Sequence, residues 1–144
     1  YEKTLFYVRE EGDDMSSILN YVRILVCGQR DFTDKRAIIR NLAKLPCGTT
    51  IIHGGAKGAD TLAGRAAKKL GLEVLPPFMA DWQRYGRAAG PIRNARMLKE
   101  GKPDLVLAFY HDPAKSKGTK NMVAQAIKAG VSVTEILVRR SSHD

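Results

Sequence analysis

The feature that most constrains this chain is the steady exchange of short apolar runs for helix-patterned segments from Tyr21 onward. Val22-Arg23-Ile24-Leu25-Val26-Cys27 is largely apolar and ends at Gly28, as suits a strand buried on both faces. Thr33 or Asp34 can then cap a helix whose Ile38, Ile39, Leu42 and Leu45 fall at helical spacing, with Pro46 and Gly48 as its stop. The pattern repeats: residues 49–53 read as a β-branched strand, Gly54 to Gly58 as a loop, Ala59 to Leu70 as a helix ended by Gly71, and Leu72 to Leu75 as a third strand. Asp81 to Gly90, rich in arginine, glycine and aromatics, reads as an irregular excursion, and Pro91 fits the first position of a helix running to Glu100. A strand over 104–109, a polar loop, a helix over 119–129 and a strand over 131–138 complete the series. Such alternation implies parallel βαβ units with right-handed crossovers. The expected fold is a single Rossmann-like α/β domain, a doubly wound and mainly parallel sheet of about five strands with helices on both faces.

A length of 144 residues suffices for one substantial core. With 44% hydrophobic and 27% charged residues, wholesale disorder is excluded. No apolar run approaches the roughly 20 residues of a membrane span, and the first residues lack the layout of a secretory signal, so a cytoplasmic protein without membrane association is expected. Cys27 and Cys47 cannot form a metal knuckle, and neither metal nor cofactor is expected. The net charge of +9 is unevenly spread: residues 1–14 hold five acids and two bases, which leaves +12 on the remainder. Residues 1–20 are therefore read as an acidic leader, weakly ordered or an extension, before a nucleotide-binding domain over 21–138 and a tail over 139–144.

In an open parallel sheet, ligands bind beyond the carboxyl ends of the strands. Three loops reach that edge and lead into helices: GQRDFT from Gly28, HGGAKGAD from His53 and YHDPAKSKGT from Tyr110, each joining glycine to a cation. Glycine lets the backbone approach a phosphate, and the following helix offers unpaired N–H groups and roughly half a unit of positive charge. Lys57 or Lys117 can add a point charge. None of the three is a GxxxxGK[ST] or GxGxxG string, so the signal is their convergence. Asp60, in a first helical turn, is either a cap or a ligand for a ribose hydroxyl. Asp31, Asp81 and Asp112 are further carboxylates near the strand ends, while His53 and His111 close two strands as acid–base candidates or hydrogen-bonded loop residues. Trp82 and Tyr85 lie among Arg84, Arg87, Arg93 and Arg96, a mixture suited to stacking a base and pairing phosphates, or to gripping a single strand of nucleic acid.

The ordered strings VCGQRDFTD, HGGAKGADTLAGRAA, DWQRYGRAAGPIRNARML and DLVLAFYHDPAKSKGTKNM resemble the YspA-type, cpYpsA-related branch of the SLOG superfamily over residues 22–135. That superfamily is Rossmann-like and includes Lonely Guy phosphoribohydrolases, the DNA-processing protein A core, molybdenum-cofactor carriers and nucleotide-sensing domains. The resemblance implies a nucleotide-type ligand. Carried over by motif, Gly28, Gln29 and Arg30 belong to the first loop, and Gly54, Gly55, Lys57, Gly58 and Asp60 to the signature loop. Arg93 and Asn94 match an RN pair, and Gly118 and Thr119 match the GT of the hydrolases' PGGxGTxxE motif. Here SKGTKNMVAQ lacks the PGG and places Met122, Val123 and Ala124 around the position of the catalytic glutamate, whereas glycosidic cleavage needs a carboxylate. The expectation is therefore a homo-oligomeric sensor or sequestering protein for a small phosphorylated nucleotide, such as a signalling nucleotide or an ADP-ribose derivative. The alternatives are a nucleotide N-glycosidase or phosphohydrolase using Asp60 and Arg93, and a single-stranded nucleic-acid binder.

Overall fold

The computed structural model describes residues 2–4 and 22–140. In chain order the elements are β1 (Glu2–Thr4), β2 (Arg23–Gly28), α1 (Lys35–Leu42), β3 (Thr50–Ile52), α2 (Ala59–Lys69) and β4 (Glu73–Val74), followed by α3 (Trp82–Tyr85), α4 (Ala89–Gly101), β5 (Leu105–Tyr110), α5 (Lys117–Lys128) and β6 (Ser132–Val138). Single 3₁₀ turns occupy Gly86–Ala88 and Pro113–Lys115.

The sheet order is β1-β6-β5-β2-β3-β4. β2 through β6 are mutually parallel and β1 runs antiparallel to β6. The chain starts at the centre with β2, builds outward through β3 and β4, then crosses back to lay β5 on the other side of β2. The strand order thus reverses between β2 and β5, where a doubly wound sheet opens a crevice. Glu2–Thr4, assigned on the sequence to the leader rather than the fold, supply the sixth strand. The rest of that leader and residues 141–144 lie outside the described residues.

Alternation along the central strands divides the core into two layers. Ile24 and Val26 of β2, with Leu107 and Phe109 of β5, pack against α1 and α2, while Leu25, Cys27, Val106, Ala108 and Tyr110 face α4 and α5. Both faces of β2 are covered, which is why its sequence reads as a continuous apolar run. Ala59, Ala63, Ala66 and Ala67 give α2 a flat buried side that lets it lie close to the sheet.

Helix limits follow local chemistry, with departures from expectation near the crevice. Asp34 caps α1 by accepting the Ala37 N–H at 3.0 Å. Residues 81–90 are helical rather than irregular: Asp81 accepts the Arg84 N–H at 3.1 Å to start α3, and the 3₁₀ turn leads into α4. Pro91 consequently stands third in α4, still where its missing N–H is harmless. α5 begins at Lys117, so Gly118 and Thr119 both fall in its first turn.

Candidate functional site

A cleft of about 740 Å³ opens at the carboxyl ends of β2 and β5, at the strand-order reversal. Its floor is Cys27, Gly28, Met97 and Met122. One wall is the start of α5 from Ser116 to Thr119, the other is Trp82, Arg87 and Arg93, and Arg30 and Lys115 stand at the margins. Of the residues marked on the sequence, Gly28, Arg30, Asp60, Arg93, Asn94, Gly118 and Thr119 line this space. Gln29, Gly54, Gly55, Lys57 and Gly58 do not.

Gly28 has to lack a side chain, because a Cβ there would stand 2.5 Å from both Phe109 O and Ala59 Cβ. The next residue, Gln29, is buried and acts as a brace. Its Oε1 accepts the N–H groups of His111 (2.9 Å) and Asp112 (2.7 Å), and its Nε2 donates to Asp31 Oδ1. One amide thus ties the loop after β2 to the loop after β5, from a buried position outside the cleft. Arg30 projects over the Trp82 ring, its guanidinium carbon 5.6 Å from the centroid, so cation and indole meet across the mouth of the cleft. Trp82 is 49% exposed, a stacking surface rather than a core anchor.

The glycine loop after β3 has a part different from the phosphate cradle its sequence suggests. Gly54 N–H donates to Asp60 Oδ2 at 2.9 Å and Gly55 N–H to His53 Nδ1 at 3.0 Å, so these amides are satisfied within the loop. Gly58, at φ +81°, packs against the carbonyls of Gln29 and Arg30 where any side chain would collide. Lys57 is exposed and outside the cleft. Asp60 is buried, and loss of water raises its carboxyl to about 6 despite the Gly54 and Ala56 amides and the nearby Arg93.

Arg93 grips the same loop from the other side. Its Nη1 donates to Gly54 O at 2.9 Å and its Nε to Asn94 Oδ1 at 3.0 Å. The Gly54 residue is therefore held between an acid and a guanidinium, and a Cβ on it would lie 2.5 Å from Arg93 Nη1. Asn94 passes the connection on, its Nδ2 reaching Gly118 O and Asn121 Oδ1, both at 3.1 Å. The RN pair thus links the glycine loop to the start of α5.

The start of α5 is the open part of the site. The Lys120 N–H reaches Ser116 O at 3.0 Å, so the amides of Lys117, Gly118 and Thr119 precede the helical ladder. Ser116 occupies the cap position yet makes no side-chain cap bond. Ser116 and Thr119 are buried to 6% and 5% exposure, line the cleft, and have no side-chain hydrogen bond among the described residues. Five cations line the space, Arg30, Arg87, Arg93, Lys115 and Lys117, against the carboxylates of Asp31 and Asp60. Asp31 is occupied by Gln29 and by Arg140 at 3.1 Å, and Asp60 by its own loop. The unopposed field in the cleft is positive.

The remaining candidates lie elsewhere. Asp81 and Asp112 cap α3 and the 3₁₀ turn after β5. His53 sits under Gly64 of α2, burial lowering its pKa. His111 has both ring nitrogens engaged, Nε2 by the Thr33 N–H and Nδ1 by Val138 O, and its ring stacks on Phe32 at 4.4 Å. Met122, one of the residues marked around the hydrolases' glutamate position, forms part of the floor, and Val123 is buried beside it in the core. The thiol of Cys27 is pushed well above its ordinary pKa by burial and by Asp60 and Glu135, which removes it as a nucleophile near neutral pH. The sequence reading overlooked Ser116, Lys115 and Asn121, whose only signal was their nearness to the GT pair. Among the described residues no group of acids, histidines and cysteines could hold a metal ion, and no helix is long and apolar enough to cross a membrane.

The family described as the YspA, cpYpsA-related SLOG family matches residues 22–85. The Gene 61 protein of Mycobacterium phage D29 is 37% identical over 119 residues, an alignment covering 77% of this chain and 93% of the phage protein. Among solved structures, DNA processing protein A from Streptococcus pneumoniae superposes with a TM-score of 0.46 at 16% identity, over 81% of this chain and 59% of the other, so the chain spans about three-fifths of that protein. With the family's pattern found over residues 22–85 and a relative 37% identical matched over nearly its whole length, the chain belongs to the YspA, cpYpsA-related SLOG family.

Proposed function

We propose that the cleft binds a small phosphorylated nucleotide or nucleotide-derived ligand, and that the protein acts by sensing or sequestering it. The observation that carries this reading is the start of α5, where three amides without helical acceptors and the hydroxyls of Ser116 and Thr119, without partners among the described residues, face a space edged by cations. A phosphate satisfies that set, accepting from the amides and hydroxyls and drawing on the helix dipole. Arg93 and Lys115 add charge. Trp82 and Arg30 offer a face for a base. The floor supports binding over cleavage, since Met122 and Cys27 supply no carboxylate and Asp60 is turned back onto its own loop. A thermal-shift screen over nucleoside mono- and diphosphates, ADP-ribose species and cyclic nucleotides tests the reading. Stabilisation by at least one of them, recovered chemically unchanged, is expected; release of free base or phosphate would move the assignment to the hydrolase alternative, and no stabilisation by any would refute it.

A second reading has its own observation. The outer side of α1 and α2 exposes Lys35, Arg36, Lys44, Arg65, Lys68 and Lys69, and the one acid between residues 35 and 72, Asp60, is buried. This surface suits a nucleic-acid backbone, with affinity falling steeply as salt rises. Failure of an oligonucleotide to shift in a gel at low salt excludes it.

A further inference from the structure

Asn121 lines the cleft one residue before Met122, and its nearness to the GT pair was its only mark in the sequence. Its orientation follows from a chain of hydrogen bonds anchored by groups whose roles are fixed. Arg93 can only donate, so the Asn94 atom 3.0 Å from its Nε is the oxygen. The other Asn94 amide atom is then the nitrogen, in accord with its contact to Gly118 O, which can only accept. That nitrogen also lies 3.1 Å from Asn121, which makes the facing Asn121 atom Oδ1. Gln125 gives the same answer from the opposite side. Its Nε2 donates to Pro91 O at 3.1 Å and to Asn121 Oδ1 at 2.7 Å. Asn121 Oδ1 is thus saturated by two donors, while its Nδ2 has no partner among the described residues.

We infer that Asn121 is a specificity-determining residue presenting N–H groups alone to the ligand, and that it takes an uncharged acceptor of the nucleoside part, a sugar oxygen, a base carbonyl or a ring nitrogen. This rests on the nucleotide reading of the cleft. The helix-start amides, hydroxyls and cations already serve the phosphate, and a neutral amide donor matches a neutral acceptor. A group with only a hydrogen to offer meets no acceptor here and leaves both partners unsatisfied. The connection through Asn94 makes Arg93 a positioning residue for this selection.

The test compares wild type, Asn121→Ala and Asn121→Asp by calorimetry against AMP, GMP, CMP, UMP and inorganic phosphate. Aspartate can still accept from Asn94 and Gln125, so it preserves the internal network, but it replaces the outward N–H groups by an acceptor and adds a negative charge that weakens every anion, inorganic phosphate included. Both variants are expected to weaken the best mononucleotide by about tenfold, with Asn121→Ala leaving inorganic phosphate within about twofold. Equal loss for phosphate and mononucleotide in Asn121→Ala would show a bracing role and overturn the inference. Unchanged mononucleotide affinity in Asn121→Ala would overturn it while leaving the nucleotide reading intact, whereas a wild type that binds none of the four mononucleotides overturns the inference and leaves the nucleotide reading to the wider screen of diphosphates, ADP-ribose species and cyclic nucleotides. If Asn121→Ala does not fold, Asn121→Asp decides against inorganic phosphate: a mononucleotide loss clearly greater than the phosphate loss supports the inference, and an equal loss for the two, or no loss for either, contradicts it.

Discussion

Asp60 trades water for backbone amides and a nearby guanidinium, and the loss of water prevails, so its carboxyl titrates at about 6 instead of 3.8. A raised carboxyl pKa means the folded state holds a proton that the unfolded chain has released. Its contribution to stability is complete below about pH 4 and lost as pH rises through about 6. Asp60→Asn keeps an acceptor for the Gly54 N–H and removes the ionisation. The variant should show a flatter dependence of urea stability on pH between 4 and 7, the difference from wild type reaching on the order of 2–3 kcal/mol. Parallel curves for the two proteins would show that Asp60 is not the titrating group. Gly54→Ala places a Cβ against Arg93 Nη1, and the guanidinium must move; a loss of about 1–3 kcal/mol in denaturant unfolding is expected, with weakened ligand binding. At this scale the sequence was a partial guide. The glycines of GGAKG stood out as special, but a string of residues does not say where amides point, and these turn toward Asp60 and His53. Gln29 was marked as a ligand residue because it stands between Gly28 and Arg30, while its side-chain oxygen is taken by backbone groups more than eighty residues away.

α5 begins with Ser116 in the cap position, where loss of the side chain ordinarily costs about 0.5–2 kcal/mol. Here the hydroxyl makes no cap bond, so Ser116→Ala should leave unfolding stability within about 0.5 kcal/mol of wild type. The same substitution, combined with Thr119→Val, should weaken nucleotide binding by about tenfold or more. A large stability loss with unchanged binding would mean that Ser116 serves the helix and not the ligand. Elements were the most legible scale because periodicity speaks directly to them: β2 and β5, covered on both faces, read as apolar runs, and α2 as a helix ended by Gly71. The stretch 81–90 escaped because its side chains are mostly exposed and impose no core-facing stripe; Asp81 alone marks the start of α3. β1 escaped for a related reason. A strand of three residues at a sheet edge is set by its partner β6, not by its own pattern.

The whole molecule is a sheet with its cleft at the β2–β5 reversal and a strongly basic outer helical face on α1 and α2. Strand alternation with helices was enough to anticipate both the doubly wound class and the edge where the cleft opens, since the crossover rule leaves few arrangements. The separation of the two positive regions was not legible, because net charge carries no direction until helices have faces. It has a consequence for salt dependence: nucleotide affinity in the recessed cleft should fall only modestly between 50 and 200 mM salt, whereas oligonucleotide affinity on the α1–α2 face should fall by orders of magnitude. The most direct test of the central claim is an amide-resolved NMR titration of the uniformly ¹⁵N-labelled protein with the mononucleotide that stabilises it best. The expected result is that the largest shifts fall on the N–H groups of Lys117, Gly118 and Thr119. Shifts confined to α1 and α2, or spread over the surface without saturation, would contradict it.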